Sequence, residues 1–591
     1  RGPEPWPFRA ALAVAGAEAT AEGTLALDAA WAVTAAARIP DAATLAPLLP
    51  IAPPPLRDVT LGARVTGRGA ELATLTDLTL RVGAADLGTL RPGLTLTRAE
   101  LTAPAADAPL TLVAEAALGG APLRLWGTAG TVAAIQSGAA LPVNLRAETT
   151  GAAAALTGTV ARPRAIAGVD LALTATIPDL AALAPLTGAA LPPLRDVQAQ
   201  ARLSERAPAF RTGANLNSLI LTSSAGELWG DLSLAFAERP TITGRLASRR
   251  LNLDALRATP SPTLAGEGRG GGDPLPASPP ATTPAPSQPT RVIPDTPLPL
   301  APLRAFDADL TLSVTELTLA ARPWRNLQTH LVNTAGRARL SPLTVETPSG
   351  PLALDLEADA AADPPALRLA ARSPRLDLAA AQAALGQPTR ISGRAELTTD
   401  LRGRGADLRA VAATLTGHLG LAVLDGAVEP ALTGPVAVTL RQRLPVLPAV
   451  PDRLPVECAA VRLEANDGTA RLTTLLLDAP AAKVAGSGTL NLRDETLSLR
   501  LLHDIRAAGQ TVRVRADVTG TLAAPRYGGV NVDGALEAVA GGLAGRVGGD
   551  LGDLLGALAQ SRQTRLEPLP DCGPALTTAR GGATGPVPPQ R

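Results

Sequence analysis

At 591 residues the chain can hold several domains or one extended repeat array, and 54 basic against 53 acidic residues leave a net charge of +1. Aromatic residues are 2% of the chain against 46% hydrophobic residues, and the charges are interspersed. This argues against a nucleic-acid partner and against aromatic platforms for bases or sugars. The apolar surface must come from Ala, Leu and Val. Lys483 is the only lysine and Met is absent. The start at Arg1 is read as a truncated or processed N-terminus, with any anchor upstream. The longest charge-free window, Leu125 to Leu145, is broken by glycines and Pro142 and is not expected to span a membrane.

Residues 1–257 read as β-rich repeats. Ile39 to Val59 (IPDAATLAPLLPIAPPPLRDV) recurs as Ile177 to Val197 (IPDLAALAPLTGAALPPLRDV) at one constant offset. A fainter echo runs from Ala301 to Asp307. A fixed offset says that the protein grows by extending one motif rather than by enclosing one active site. Pro40 and Pro178 are expected to end a strand by removing a ladder donor. Asp41 and Asp179 would then cap a short helix, with Leu180, Leu183 and Leu186 at helical spacing. Val197, Ala199, Ala201 and Leu203 alternate with polar residues and predict a strand with one apolar face. The same alternation is carried by Leu78, Leu80 and Val82, by Leu94 and Leu96, and by Leu110 and Leu112.

Residues 258–300 are rich in Pro, Gly, Ser and Thr and read as a flexible linker. Residues 301–533 return to strand periodicity. Leu310, Leu312 and Val314 alternate, and the change of phase at Glu316 predicts a bulge or a tight turn. Leu352, Leu354 and Leu356 follow. Leu378 to Leu385 reads as a short helix stopped by Gly386. Leu490 and Leu492, Leu497 and Leu499, and Val512 and Val514 predict neighbouring hairpin strands. Residues 534–563 switch to helical period, an amphipathic helix that either caps the open sheet or touches a membrane. Residues 564–591 read as a tail, disordered after Cys572.

Little in the chain carries chemistry. His330, His418 and His503 sit in no metal-ligand or catalytic motif, and His418 falls on the polar phase of a strand. No serine lies in a nucleophile elbow. No enzyme, catalytic residue, metal or cofactor is expected. Cys458 and Cys572 lack zinc-like spacing; they form one disulfide or remain two thiols.

From Gly403 the order of elements becomes specific. Gly403 to Arg409 (GRGADLR) is followed by Leu415-Thr416-Gly417 and Asp425-Gly426. Then come Cys458-Ala459-Ala460, Asn466-Asp467-Gly468, Gly486 to Leu492 (GSGTLNL) and Gly520 to Arg526 (GTLAAPR). In this order and spacing the chain resembles the AsmA family of Gram-negative envelope proteins, related to TamB and YhdP. The resemblance implies an inner-membrane anchor, a periplasmic body and bridge-like lipid transfer, and supplies no catalytic residues.

The expected fold is mostly β: a long twisted antiparallel sheet of repeated units, curled into an elongated apolar groove, with short helices and a C-terminal amphipathic helix. The candidate groove lining is Leu78, Leu80, Val82, Leu110 and Leu112 in the first half, and Leu310, Leu312, Val314, Leu352, Leu354, Leu356, Leu490, Leu492, Leu497, Leu499, Val512 and Val514 in the second. The expected function is non-enzymatic: shielding phospholipid acyl chains for transport between inner and outer membrane. The alternative is an assembly scaffold for outer-membrane proteins that acts through an exposed sheet edge. The expected partners are phospholipids, the inner membrane through an upstream helix, and the outer membrane or its proteins, with no nucleic acid.

Overall fold

A computed structural model describes residues 4–48, 55–88, 92–187, 191–207, 210–256, 291–384, 386–429, 453–480, 482–507, 510–531 and 568–587. The expected helix over 534–563 and most of the expected linker lie outside them.

The chain divides into two compact units, Arg1–Ser261 with Leu310–Ala321, and Pro262–Asp309 with Arg322–Arg591. The first unit carries β1(Trp6–Val14), β2(Ala17–Leu25), β3(Ala30–Asp41), β4(Arg57–Arg68), β5(Glu71–Val82), β6(Ala85–Asp86), β7(Leu94–Ala105) and β8(Pro109–Leu118). It continues through β9(Ala121–Thr131), β10(Leu141–Thr149), β11(Ala152–Arg162), β12(Ala167–Asp179), β13(Arg195–Glu205), β14(Gly213–Ser223), β15(Gly226–Ala235) and β16(Thr241–Asn252), and takes most of β17(Asp307–Leu319). Two short helices, α1(Val132–Ser137) and α2(Ala184–Thr187), interrupt it. From β1 to β16 each strand pairs antiparallel with its successor, with the two-residue β6 beside β7 as the one detour. Such a meander needs only short turns.

The second unit carries β18(Arg322–Thr334), β19(Arg337–Thr347), β20(Gly350–Asp359), β21(Ala366–Asp377), β22(Ile391–Arg404), β23(Thr416–Val428) and β24(Leu454–Val456). It continues with β25(Cys458–Asn466), β26(Thr469–Ala479), β27(Ala482–Asn491), β28(Thr496–Ala507), β29(Gln510–Thr521) and β30(Pro525–Asn531). Among the described residues three α-helices, α3(Leu378–Ala384), α4(Leu408–Ala413) and α5(Cys572–Ala579), accompany the strands. Its strands also pair antiparallel in chain order, with the short β24 at one end of β23. The fold is mostly β and antiparallel, as the alternation predicts.

The repeated motif builds the same joint twice. Ile39 faces Val59 and Asp41 faces Arg57; in the second copy Ile177 faces Val197 and Asp179 faces Arg195. The aspartates cap the turn that follows, accepting from the Ala43 N–H at 2.9 Å and from the Ala181 N–H at 3.0 Å. The expectation that proline ends each strand is corrected: β3 and β12 run one residue past Pro40 and Pro178. Each proline falls at the skipped position between two pairs, opposite Asp58 or Asp196, whose φ is +47° or +53°. A residue that needs no ladder partner is tolerated at such an irregularity.

At Glu316 the change of phase is absorbed inside an unbroken β17. Thr315 and Glu316 are both exposed between buried Val314 and Leu317. That is a bulge rather than a turn. Residues 291–300, expected to belong to the flexible linker, are held to the second unit. The buried Glu495 carboxylate accepts the Val292 and Ile293 N–H groups at 2.6 and 3.2 Å, and the Leu298 N–H donates to the Ala406 carbonyl at 2.9 Å. Other carboxylates also hold consecutive N–H groups, among them Glu205 on Gly168 and Val169 and Asp254 on Ala320 and Ala321.

Candidate functional site

Directly opposed residues of an antiparallel pair point to the same side of the sheet, so register tells which residues share a face. In the first unit one row can be followed strand by strand. Leu12 faces Ala19, which faces Ala37, then Leu61, Leu80 and Leu101. The row goes on through Leu112, Gly127, Leu145, Leu156, Leu173 and Ala201. No polar residue enters it from β1 to β13. At its β1 end the alanines open a hollow of about 270 Å³, lined by Leu12, Ala19, Ala21, Ala35, Ala37 and Leu61 among others.

The second unit has the same construction. One row joins Leu340, Leu356, Leu369, Leu401, Gly417 and Ala465, then Ala470, Leu490, Leu497 and Gly520. A second row on the same face joins Leu343, Leu354, Ala371, Thr399, Leu419 and Leu463, then Leu472, Gly488, Leu499 and Val518. Its one hydroxyl is satisfied, because Thr399 Oγ1 donates to the His418 carbonyl at 2.8 Å. At Gly488 φ is +154° and a Cβ would stand 2.2 Å from the Ser498 carbonyl oxygen, so only glycine fits the sheet there.

The register brings Leu354, Leu356, Leu490, Leu497 and Leu499 onto one face of the second unit. Leu352, opposite Val345, shares the face of Leu354, and Val514, opposite His503, shares the face of Val518. In the first unit it aligns Leu80 and Leu112, with Leu78 opposite Ala103, Val82 opposite Ala99 and Leu110 opposite Ala129. Val82, Leu110, Val314 and Val514 are buried and Leu356 is exposed; Leu78, Leu80, Leu112, Leu310, Leu312, Leu352, Leu354, Leu490, Leu492, Leu497 and Leu499 are half-buried. Leu492 stands apart, just beyond β27, where its N–H donates to the Gly468 carbonyl. The Val512 side chain lies outside the described residues, while its backbone pairs with Ile505. The row members Leu340, Leu369, Leu401, Leu419, Leu463 and Leu472 are not among the expected lining positions, although Leu463, for one, alternates with Arg462 and Glu464. Only cross-strand register collects them.

The opposite face carries the charge. Arg9 meets Glu22 at 2.8 Å, Arg81 meets Glu100 at 2.9 Å, and Arg98 grips Glu115 through two nitrogens. In the second unit Arg368 binds Asp400 at 2.8 Å and reaches Glu357 at 3.4 Å. The hydrogen bond from Arg368 holds the Asp400 carboxyl below its usual range against the opposing effect of burial. The exposed pairs among these, such as Arg9 with Glu22 and Arg81 with Glu100, contribute little stability, because water already solvates both partners. Their role here is to keep one face wet and to disfavour a register slip that would invert the two faces. His418 lies on this face between Asp400 and Glu464, and burial, then the Arg462 charge, lowers its pKa. His503 is different: it sits on the apolar face between Val484 and Val514, and burial pushes its pKa down.

On the charged face of the second unit α5 covers an apolar patch. Ala422, Ala460 and Leu476 are aligned across β23, β25 and β26. They pack with Cys458 against Ala575, Leu576 and Ala579. Cys458 and Cys572 are joined in a disulfide. This corrects the expectation of a disordered tail after Cys572. Eight residues with one leucine carry too weak a local signal to be read as a helix, and tertiary contact supplies the rest.

Among the described residues no group of His, Cys, Asp or Glu could hold a metal ion. His330 Nε2 lies 2.7 Å from Asp309, but both side chains are exposed and the pair resembles the other surface ion pairs. The arrangement offers apolar area on one side and charge on the other.

Comparison with known proteins agrees with that arrangement. The family model described as AsmA family matches residues 116–475. The AsmA family protein YhjG of Escherichia coli (strain K12) is 26% identical over 435 residues, covering 71% of this chain and 61% of the relative. The chain therefore spans about three fifths of the length of the curated relative it matches.

Proposed function

The chain belongs to the AsmA family, and from that premise we propose a non-enzymatic role in the Gram-negative envelope: its apolar face shelters phospholipid acyl chains on their way between inner and outer membrane. The observation that carries this reading is the pair of unbroken apolar rows, one in each unit, backed by a charged face. A sheet face of Leu, Val and Ala must be covered by protein or by something oily. Removing a methylene from water is worth about 0.8 kcal/mol. A tail that passes from bilayer to apolar wall is oily at both ends of the move, so the transfer is nearly neutral and the tail can slide. Few polar side chains interrupt the rows, which suits broad acyl selection rather than tight capture. In this reading the body works in the periplasm and is anchored to the inner membrane.

The test is native mass spectrometry of the full chain with lipid extraction from the same sample. Phospholipid is expected to co-purify, and Leu354→Asp and Leu499→Asp, two changes in one row, are expected to reduce it. A folded, lipid-free wild-type chain would overturn the proposal. That result would favour an outer-membrane assembly scaffold instead, for which one observation speaks. All nine residues of β1 are exposed, and among the described residues β1 pairs only with β2, so its other edge could accept a client strand.

A further inference from the structure

We propose that the Cys458–Cys572 disulfide is a thiol-operated latch that holds α5 on the charged face and, when reduced, lets it go. The inference does not depend on what the apolar face carries. It rests on how small the apolar contact between helix and sheet is. α5 has eight residues, too few to persist without tertiary support. Its apolar contact with the sheet is Leu576, flanked by Ala575 and Ala579, with Cys572 packed beside them. Two ionic ties help: Arg580 to Glu396 at 2.6 Å, and Lys483 to Asp571 at 3.3 Å, where the Asp571 side chain is mostly exposed. Gly420 lets the last turn lie flat on β23, since a Cβ there would stand 1.9 Å from the Ala579 carbonyl oxygen. The disulfide joins positions 114 apart in the chain, so breaking it gives up the closure of that loop.

The two cysteine residues differ in exposure. Cys458 is fully buried, whereas Cys572 is partly exposed at the start of α5. An incoming thiolate therefore attacks Cys572 Sγ. The S–S bond breaks, Cys458 leaves as a thiolate that takes a proton from water, and Cys572 carries the mixed disulfide. A second thiol resolves this, leaving two cysteine thiols and one oxidised reductant, a balanced two-electron exchange. Release of α5 uncovers Ala422, Ala460 and Leu476 on an otherwise charged face.

The test is hydrogen exchange of the full chain, oxidised, after dithiothreitol, and after reoxidation. The α5 amides of Ala575 and Arg580, bonded to the Asp571 and Leu576 carbonyls, are expected to exchange at least about tenfold faster after reduction and to recover on reoxidation. Amides of β27 to β29 are expected to stay protected, and binding of an apolar dye is expected to rise with α5 release. Unchanged α5 protection in the reduced chain would overturn the latch. So would a joint loss of protection in α5 and β25 to β29, which would make the disulfide a staple of the whole unit. Because the dithiothreitol arm starts from folded protein, the outcome does not depend on whether Cys572→Ser folds.

Discussion

The two units solve one problem in two ways. Both present an apolar face built from register-aligned rows, and both ladder the opposite face with arginine and carboxylate. In the first unit the described apolar residues are largely half-buried, and Trp6, Leu12, Leu25, Leu27 and Leu61 are exposed. The second unit adds a local second layer on its charged side, where Leu476, Leu576 and Cys458 are fully buried. A single-layer sheet is held mainly by its ladder and tolerates change at any one face position. A sheet with a helix seated on it gains a close-packed core and becomes sensitive there.

That contrast can be broken or sharpened by experiment. The largest effect is expected for Leu476→Asp, which puts a charge at a position 1% exposed beneath α5. Its cost should exceed about 4 kcal/mol, read as a loss of the urea midpoint of the second unit. Gly488→Val follows, at about 3 kcal/mol in the same melt, because the new side chain must displace the β28 backbone. Arg580→Ala leaves Glu396 without its buried partner and should cost about 3 kcal/mol. A melt unchanged by Arg580→Ala would mean that α5 contributes nothing to the second unit. Leu12→Asp, the matching change on the exposed face of the first unit, should move the midpoint by under about 0.5 kcal/mol. A large loss there would show that the first unit is covered as tightly as the second.

The smallest effect is one of pH. Asp400 titrates below its unfolded value, near 3.9. The stability it lends is present above that value and fades as pH falls through the lower folded one. His503 is also depressed, so the unfolded chain takes up its proton first as pH drops below about 6.5. Stability therefore declines from there toward the folded value. His503→Leu should flatten that part of the pH–stability curve of the second unit, and an unchanged curve would exclude this histidine as its cause.

Much of the fold was legible. Strict alternation at Leu352–Leu356 and Leu497–Leu501 marks strands because a period of two admits no other regular structure. The repeat at Ile39 and Ile177 marks one joint used twice. The helix after Asp377 was legible with Gly386 as its stop, and the Ala380 N–H donates to the Asp377 side chain at 2.9 Å. The prolines misled, since Pro40 reads as a stop in any list of propensities and only the left-handed Asp58 opposite it lets the strand continue.

By itself the sequence determined that this is a β-protein with one oily and one charged side to each strand, because that pattern is written between adjacent residues. It left open which leucines of distant strands meet, whether Cys458 finds Cys572, and that eight residues of an unpromising tail form a helix. The tertiary structure decided those points. Register, a disulfide and the seating of Leu576 are relations between residues far apart in the chain, and no local periodicity records them.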